Sequence, residues 1–133
     1  MFEKVIMPSA VRDELTDPDT PSLVRNWIAD PPQWIEVRQA GSPAAVTDLG
    51  RGETAAITLA IELNADLLLM DERRGVKEAR RRGLEVTGTL GVLSRAGRSG
   101  LVDLAEAFEK IKRTTFRYRQ DIMDQFMKES GAA

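Results

Sequence analysis

Acidic residues stand where two helices of this chain are expected to begin. Glu53 opens an apolar helix, and Asp71 and Glu72 follow the apolar run 67–70. A helix that leads into a strand of a parallel sheet starts at the edge where that strand ends, so Glu53 should lie close to Asp71 and Glu72. Glu14, at the end of an early helix, is a further candidate. Because clustered carboxylates repel one another unless a cation neutralises them, the pattern predicts a site for Mg²⁺ or Mn²⁺ held by Glu53, Asp71 and Glu72.

Each acid, taken singly, also has a purely structural explanation. Glu53 in a first helical turn is favoured by the helix dipole alone. Asp71 has the side chain of an N-cap for a helix over residues 72–82. Glu14 alone reads as a solvated acid at a helix end. The metal hypothesis therefore depends on the whole set.

A basic helix follows the acids directly. Arg73, Arg74 and Lys77 lie in its first turns, beside the predicted carboxylates, and rows of this kind bind phosphate backbones. The alternative is an ordinary solvated helix face. The charge is also uneven along the chain: residues 1–70 carry 5 Lys/Arg against 11 Asp/Glu, and residues 71–133 carry 14 against 10. This asymmetry is consistent with an acidic centre beside a surface that faces a polyanion, and equally with a surface whose charge is merely uneven.

Composition excludes several kinds of chemistry. The 133 residues include no Cys and no His, which removes disulfides, thiolate sites, Cys nucleophiles and imidazole bases. Catalysis would fall to carboxylates, Lys/Arg, Ser/Thr or Tyr, with a metal. The length and the 42% hydrophobic and 30% charged content predict one domain over residues 1–133. No apolar run approaches the roughly 20 residues that span a membrane, and the N-terminus is not of signal-peptide type, so we expect a cytoplasmic protein without a membrane partner.

Hydrophobic periodicity predicts alternating strands and helices. The apolar run 67–70 is typical of a central parallel strand covered on both faces. Gly50-Arg51-Gly52 is too short for a phosphate loop. The pattern predicts an α/β sandwich with a parallel sheet and right-handed connections. We expect strands over 2–7, 34–37, 67–70 and 84–86, helices over 10–15, 23–29, 53–64, 72–82 and 89–96, a loop over 39–47, and two amphipathic helices after residue 100.

Four segments together resemble the PIN-domain-like proteins that are often described as predicted nucleic-acid-binding proteins. They are PSAVRDEL (8–15), GETAAITLA (52–60), ADLLLMDERRG (65–75) and VTGTLGVL (86–93). The resemblance implies a three-layer PIN-like sandwich and a Mg²⁺- or Mn²⁺-dependent ribonuclease, frequently the toxin of a toxin–antitoxin pair. Matched residue by residue, Glu14, Glu53 and Asp71 correspond to catalytic acids, with Glu72 as a fourth candidate. Single-stranded RNA and a small antitoxin protein are the implied partners.

The sequence departs from the family pattern at its start. PIN domains begin with a central strand that ends in Asp, and no residue here matches that Asp. We therefore expect an N-terminally truncated form of the fold, whose exposed sheet edges favour a homo-oligomer. The explanations left open are a start assigned too late, a degenerate PIN remnant, and a dimer that completes the sheet by exchange. The alternative function is a catalytically inactive PIN-like module that binds RNA, an antitoxin or itself. A third possibility is a structural fragment whose acids are helix caps.

Overall fold

The computed structural model describes residues 2–41 and 49–131, which belong to two compact units. The first unit is Phe2–Val86 and the second begins at Thr87. The predicted loop over 39–47 lies mostly outside the described residues, and the expected single domain stays a prediction. Helices and strands alternate through the first unit, as expected for an α/β protein. Its elements are β1 (Val5–Pro8), α1 (Ser9–Leu15), α2 (Ser22–Ala29), β2 (Ile35–Arg38), α3 (Arg51–Glu62), β3 (Leu68–Leu69) and α4 (Arg73–Arg81), and β4 (Val86–Thr87) lies at the boundary.

Strands β1 and β2 form a parallel pair in which Val5 faces Ile35 and Pro8 faces Arg38. Pro8 lacks a backbone N–H, so it ends the strand, and its extended backbone (φ −60°, ψ 139°) leads straight into α1. Pro21, with similar backbone angles (φ −52°, ψ 139°), likewise leads directly into α2. Ser9 and Ser22 are the first residues of their helices. The positions of these four elements are as predicted, to within a few residues.

Helix α3 is the centre of the first unit, where it packs against α1, β1, β3 and α4. Ile57 is completely buried and Ala60 nearly so, which reflects the apolar sequence of this helix. Its last turn is more open, with Ile61 44% exposed. The buried core around α3 consists of Ile57, Ala60, Leu68, Met70 and Ala79. This packing fixes where both ends of α3 lie, and its first turn carries Glu53.

The expectation of one parallel sheet with a central strand over 67–70 is wrong for the described residues. They form two separate two-stranded sheets, β1–β2 and β3–β4. Leu68 and Met70 are buried, whereas Leu69 between them is 55% exposed. The run is therefore a half-buried strand with alternating faces, which a sequence of uniformly apolar residues conceals. The α/β class with small sheets is as predicted; the three-layer arrangement and the missing first strand stay predictions.

The second unit is helical and packs around its own core. Its helices are α5 (Thr89–Arg98), α6 (Leu104–Lys112) and α7 (Gln120–Glu129). Phe108 and Met123 are each 2% exposed, and Leu90 and Leu104 complete the buried cluster. The two amphipathic helices expected after residue 100 are confirmed as α6 and α7. None of the helices in residues 2–41 and 49–131 is both long and apolar enough to cross a membrane.

Candidate metal site

Glu14 reaches the first turn of α3 from the last turn of α1. The backbone N–H of Gly52 donates a hydrogen bond to Glu14 Oε1 at 3.2 Å, across 38 residues of sequence. The packing of α1 against α3 makes this contact. A carboxylate at a helix start is stabilised by the unpaired N–H groups and the positive end of the helix dipole. Glu14 is therefore more than a solvated acid at a helix end.

Glu53 lies in the same turn of α3 and is half-buried. Its Oε2 is 2.5 Å from the point where a Cβ on Gly50 would stand, so the carboxylate lies against the backbone that enters the helix. Its Cγ is 3.4 Å from the equivalent point on Gly75, in the first turn of α4. The side chain of Glu53 therefore connects the starts of α3 and α4.

Glu72 is the N-cap of α4, and its Oε2 accepts a hydrogen bond from the N–H of Gly75 at 2.6 Å. The capping role suggested for Asp71 is wrong, because the helix begins one residue later than predicted. Glu72 Oε2 is 3.4 Å from the Cβ position of Gly75, the same distance as Glu53 Cγ. The Cγ of Glu53 and the carboxylate of Glu72 thus approach one point, so the two side chains lie close together, as the strand–helix topology predicts.

Asp71 lies in the short connection between β3 and α4, and it is exposed. Its predicted closeness to Glu53 stays a prediction. Among residues 2–41 and 49–131, no group of three or more His, Cys, Asp or Glu side chains is placed so that it could hold a metal ion. The fold brings the side chains of Glu53 and Glu72 close together, and Glu14 contacts the turn that carries Glu53. These described residues do not form a complete set of metal ligands.

At the C-terminal end of α4, Arg81 and the C-cap residue Arg82 are paired with an acid, whereas Arg80 has no acidic partner within 4.0 Å in the described part of the chain. Glu78 forms ion pairs with Arg81 at 2.6 Å and Arg82 at 2.8 Å. Hydrogen bonds from Arg81 and then Arg82 lower the pKa of Glu78 to about 2.

A second set of basic side chains lies in the first turns of the helix. Arg73, Arg74 and Lys77 are exposed, and within the described part of the chain none has an acidic partner within 4.0 Å. They follow Glu72 directly. Three unpaired cations of α4 therefore lie at the end beside the carboxylates, where a phosphate would need them.

A family model described as a PIN domain, DUF3368, matches residues 1–132. The chain belongs to this PIN-domain family. The match covers both compact units and confirms the resemblance seen in the sequence. No curated protein and no solved structure was found to match the chain. PIN-domain membership implies a nuclease fold and, typically, the use of Mg²⁺ or Mn²⁺.

The candidate ligands of this PIN domain fit such a cation by donor type. The candidate ligands are all carboxylates, and hard divalent cations prefer oxygen donors. Glycines at 50, 52 and 75 leave the space beside Glu53, Glu14 and Glu72 that a Cβ would fill. Sequence reasoning missed these three glycines as parts of the site. Their one signal was that each lies within three residues of a candidate acid.

Proposed function

We propose that this PIN-domain protein is a metal-dependent endoribonuclease of toxin type that cleaves single-stranded RNA. The observation that carries the proposal is the approach of Glu53 and Glu72 to one point beside Gly75, at the starts of α3 and α4. Glu14, which accepts the Gly52 N–H at the first turn of α3, and Asp71, which precedes α4, are the further carboxylates of the proposed site. Family membership supports the same chemistry.

In this proposal the carboxylates of Glu14, Glu53 and Asp71, with Glu72, hold Mg²⁺ or Mn²⁺. Such a cation would polarise the phosphodiester. It would also lower the pKa of a bound water and so supply a nucleophile without an imidazole base. This agrees with the absence of His from the chain. The first turns of α4 bind the RNA backbone through Arg73, Arg74 and Lys77, and place a phosphodiester beside the carboxylates.

The test is cleavage of a labelled single-stranded RNA with Mg²⁺ or Mn²⁺ by the wild type and two variants. Glu53→Gln and Asp71→Asn keep the size of each side chain and remove the anionic oxygen that a cation needs. We expect both variants to lose cleavage. The matched control is Glu85→Gln, an exposed acid on the approach to β4, which should cleave like the wild type. Wild-type cleavage by both site variants would contradict the proposal.

A second candidate is a non-catalytic PIN module that binds RNA, an antitoxin or a second copy of itself. Its support is an exposed apolar patch, in which Leu23 is 83% exposed, Trp27 44% and Trp34 49%. The two indole rings are 6.5 Å apart and tilted by 55°. Exposed aromatic clusters of this kind mark binding surfaces. RNA binding without cleavage in Mn²⁺, together with concentration-dependent self-association in sedimentation, would favour this candidate.

A further inference from the structure

We infer that Gly52 is a positioning residue for the carboxylate of Glu14. The inference rests on the proposed metal site and adds to it a residue that binds no cation itself. Gly52 is buried in the first turn of α3, next to Glu53 in sequence. Its role would be to let Glu14 approach the helix start closely enough to share the site with Glu53.

The contact between Gly52 and Glu14 leaves no space for a side chain. A Cβ on Gly52 would stand 2.8 Å from Glu14 Oε1, 3.0 Å from Oε2 and 3.2 Å from Cδ. Ordinary contacts of a Cβ begin at 3.4 Å. Any residue other than glycine would therefore push the carboxylate away from the N–H that now donates to it at 3.2 Å.

Backbone conformation does not explain this glycine. The glycines with positive φ in the described residues are Gly83, Gly100 and Gly131, and Gly52 is not among them. It has the conformation of a helix, where glycine is less favourable than alanine. Close approach of the Glu14 carboxylate is the feature of the structure that requires a glycine here.

A substitution at Gly52 can move a carboxylate without disturbing the core, whereas a substitution at Gly75 cannot. A Cβ on Gly75 would stand 2.4 Å from the sulfur of Met70, a buried core side chain. Substitution of Gly75 would therefore disturb the core. At Gly52 the displaced atoms are the end of a side chain on an exposed residue, which can turn aside. Gly52→Ala should move Glu14 and leave the fold intact.

The experiment is a calorimetric titration of Mn²⁺ into the wild type, Gly52→Ala, Glu14→Ala and the double variant. We expect Gly52→Ala to weaken Mn²⁺ binding by about 10-fold or more, as loss of a supporting contact does in metal sites. It should have no further effect in the Glu14→Ala background, because it acts through Glu14. The thermal midpoint of Gly52→Ala should equal or exceed that of the wild type. Gln125→Ala, at an exposed helical position of α7, is the control and should bind Mn²⁺ normally.

A second readout needs no metal. In the metal-free protein the side-chain carboxyl signal of Glu14 should shift in the NMR spectrum of Gly52→Ala, because the N–H contact is lost. An unshifted signal, or equal weakening of Mn²⁺ binding with and without Glu14, would overturn the role of Gly52 while the metal site stood. Absence of Mn²⁺ binding by the wild type would overturn the proposed function and, with it, this role.

Discussion

Removal of the Glu72 side chain should loosen the start of α4. In the structure Glu72 Oε2 accepts the N–H of Gly75 at 2.6 Å, and Glu72 is the N-cap. Loss of an N-cap side chain costs about 0.5–2 kcal/mol. A negative charge at an exposed helix start contributes about 0.3–1 kcal/mol. For Glu72→Ala we therefore expect the free energy of local unfolding of α4 to fall by about 1–2 kcal/mol.

The assay is amide hydrogen exchange resolved by residue, because it reports the opening of α4 separately from the rest of the chain. Protection of the Gly75 amide should fall most. Glu72→Gln keeps an acceptor oxygen and loses only the charge, so its loss should be about 0.3–1 kcal/mol. Unchanged protection in Glu72→Ala, or equal losses in the two variants, would contradict the reasoning. Either result would show that the hydrogen bond from the Gly75 N–H to Glu72 is not the main contribution of this side chain to the stability of the start of α4.

Three further predictions concern the core, the ion pairs and the basic helix. Ile57→Ala should destabilise the first unit by about 2–5 kcal/mol in urea denaturation and Ile57→Val by about 0.5–1.5 kcal/mol, because Ile57 is fully buried; equal effects would show that the site is loosely packed. Because the folded-state pKa of Glu78 is lowered from 4.5 to about 2, its ion pairs should stabilise the fold above pH 4.5 and cease to do so as the pH falls toward 2. The difference in thermal midpoint between the wild type and Glu78→Gln should shrink over that range, and a constant difference would contradict the ion pairs. Replacing Arg73, Arg74 and Lys77 with Gln should weaken binding of single-stranded RNA and make the slope of log K against log salt shallower by about 2; an unchanged slope would show that they do not contact phosphates.

Local patterns in the sequence predicted the elements of this PIN domain well. One of the two amphipathic helices expected after residue 100 is α6, in which Leu104 and Phe108 are buried, since buried residues of a helix recur every three or four positions. The apolar run that ends at Met70 indicated a strand correctly. It could not show that Leu69 faces outward, because an all-apolar run carries no alternation to read.

The contacts within the candidate site were harder to predict. That Glu53 lies near Glu72 followed from topology alone, because both stand at helix starts on one edge. The capping residue was assigned one position too early, at Asp71, because helix boundaries depend on the geometry of a single turn. The contact between Glu14 and Gly52 spans 38 residues, and no local pattern encodes the packing that makes it.

The placement of a bound cation tests the proposed site most directly. A crystal of the wild type soaked in Mn²⁺ should give an anomalous peak with oxygens of Glu53 and Asp71 at coordination distance, about 2.0–2.3 Å. The peak should disappear in crystals of Asp71→Asn. A wild-type crystal with no peak beside these residues, or with Mn²⁺ bound elsewhere on the chain, would contradict the account.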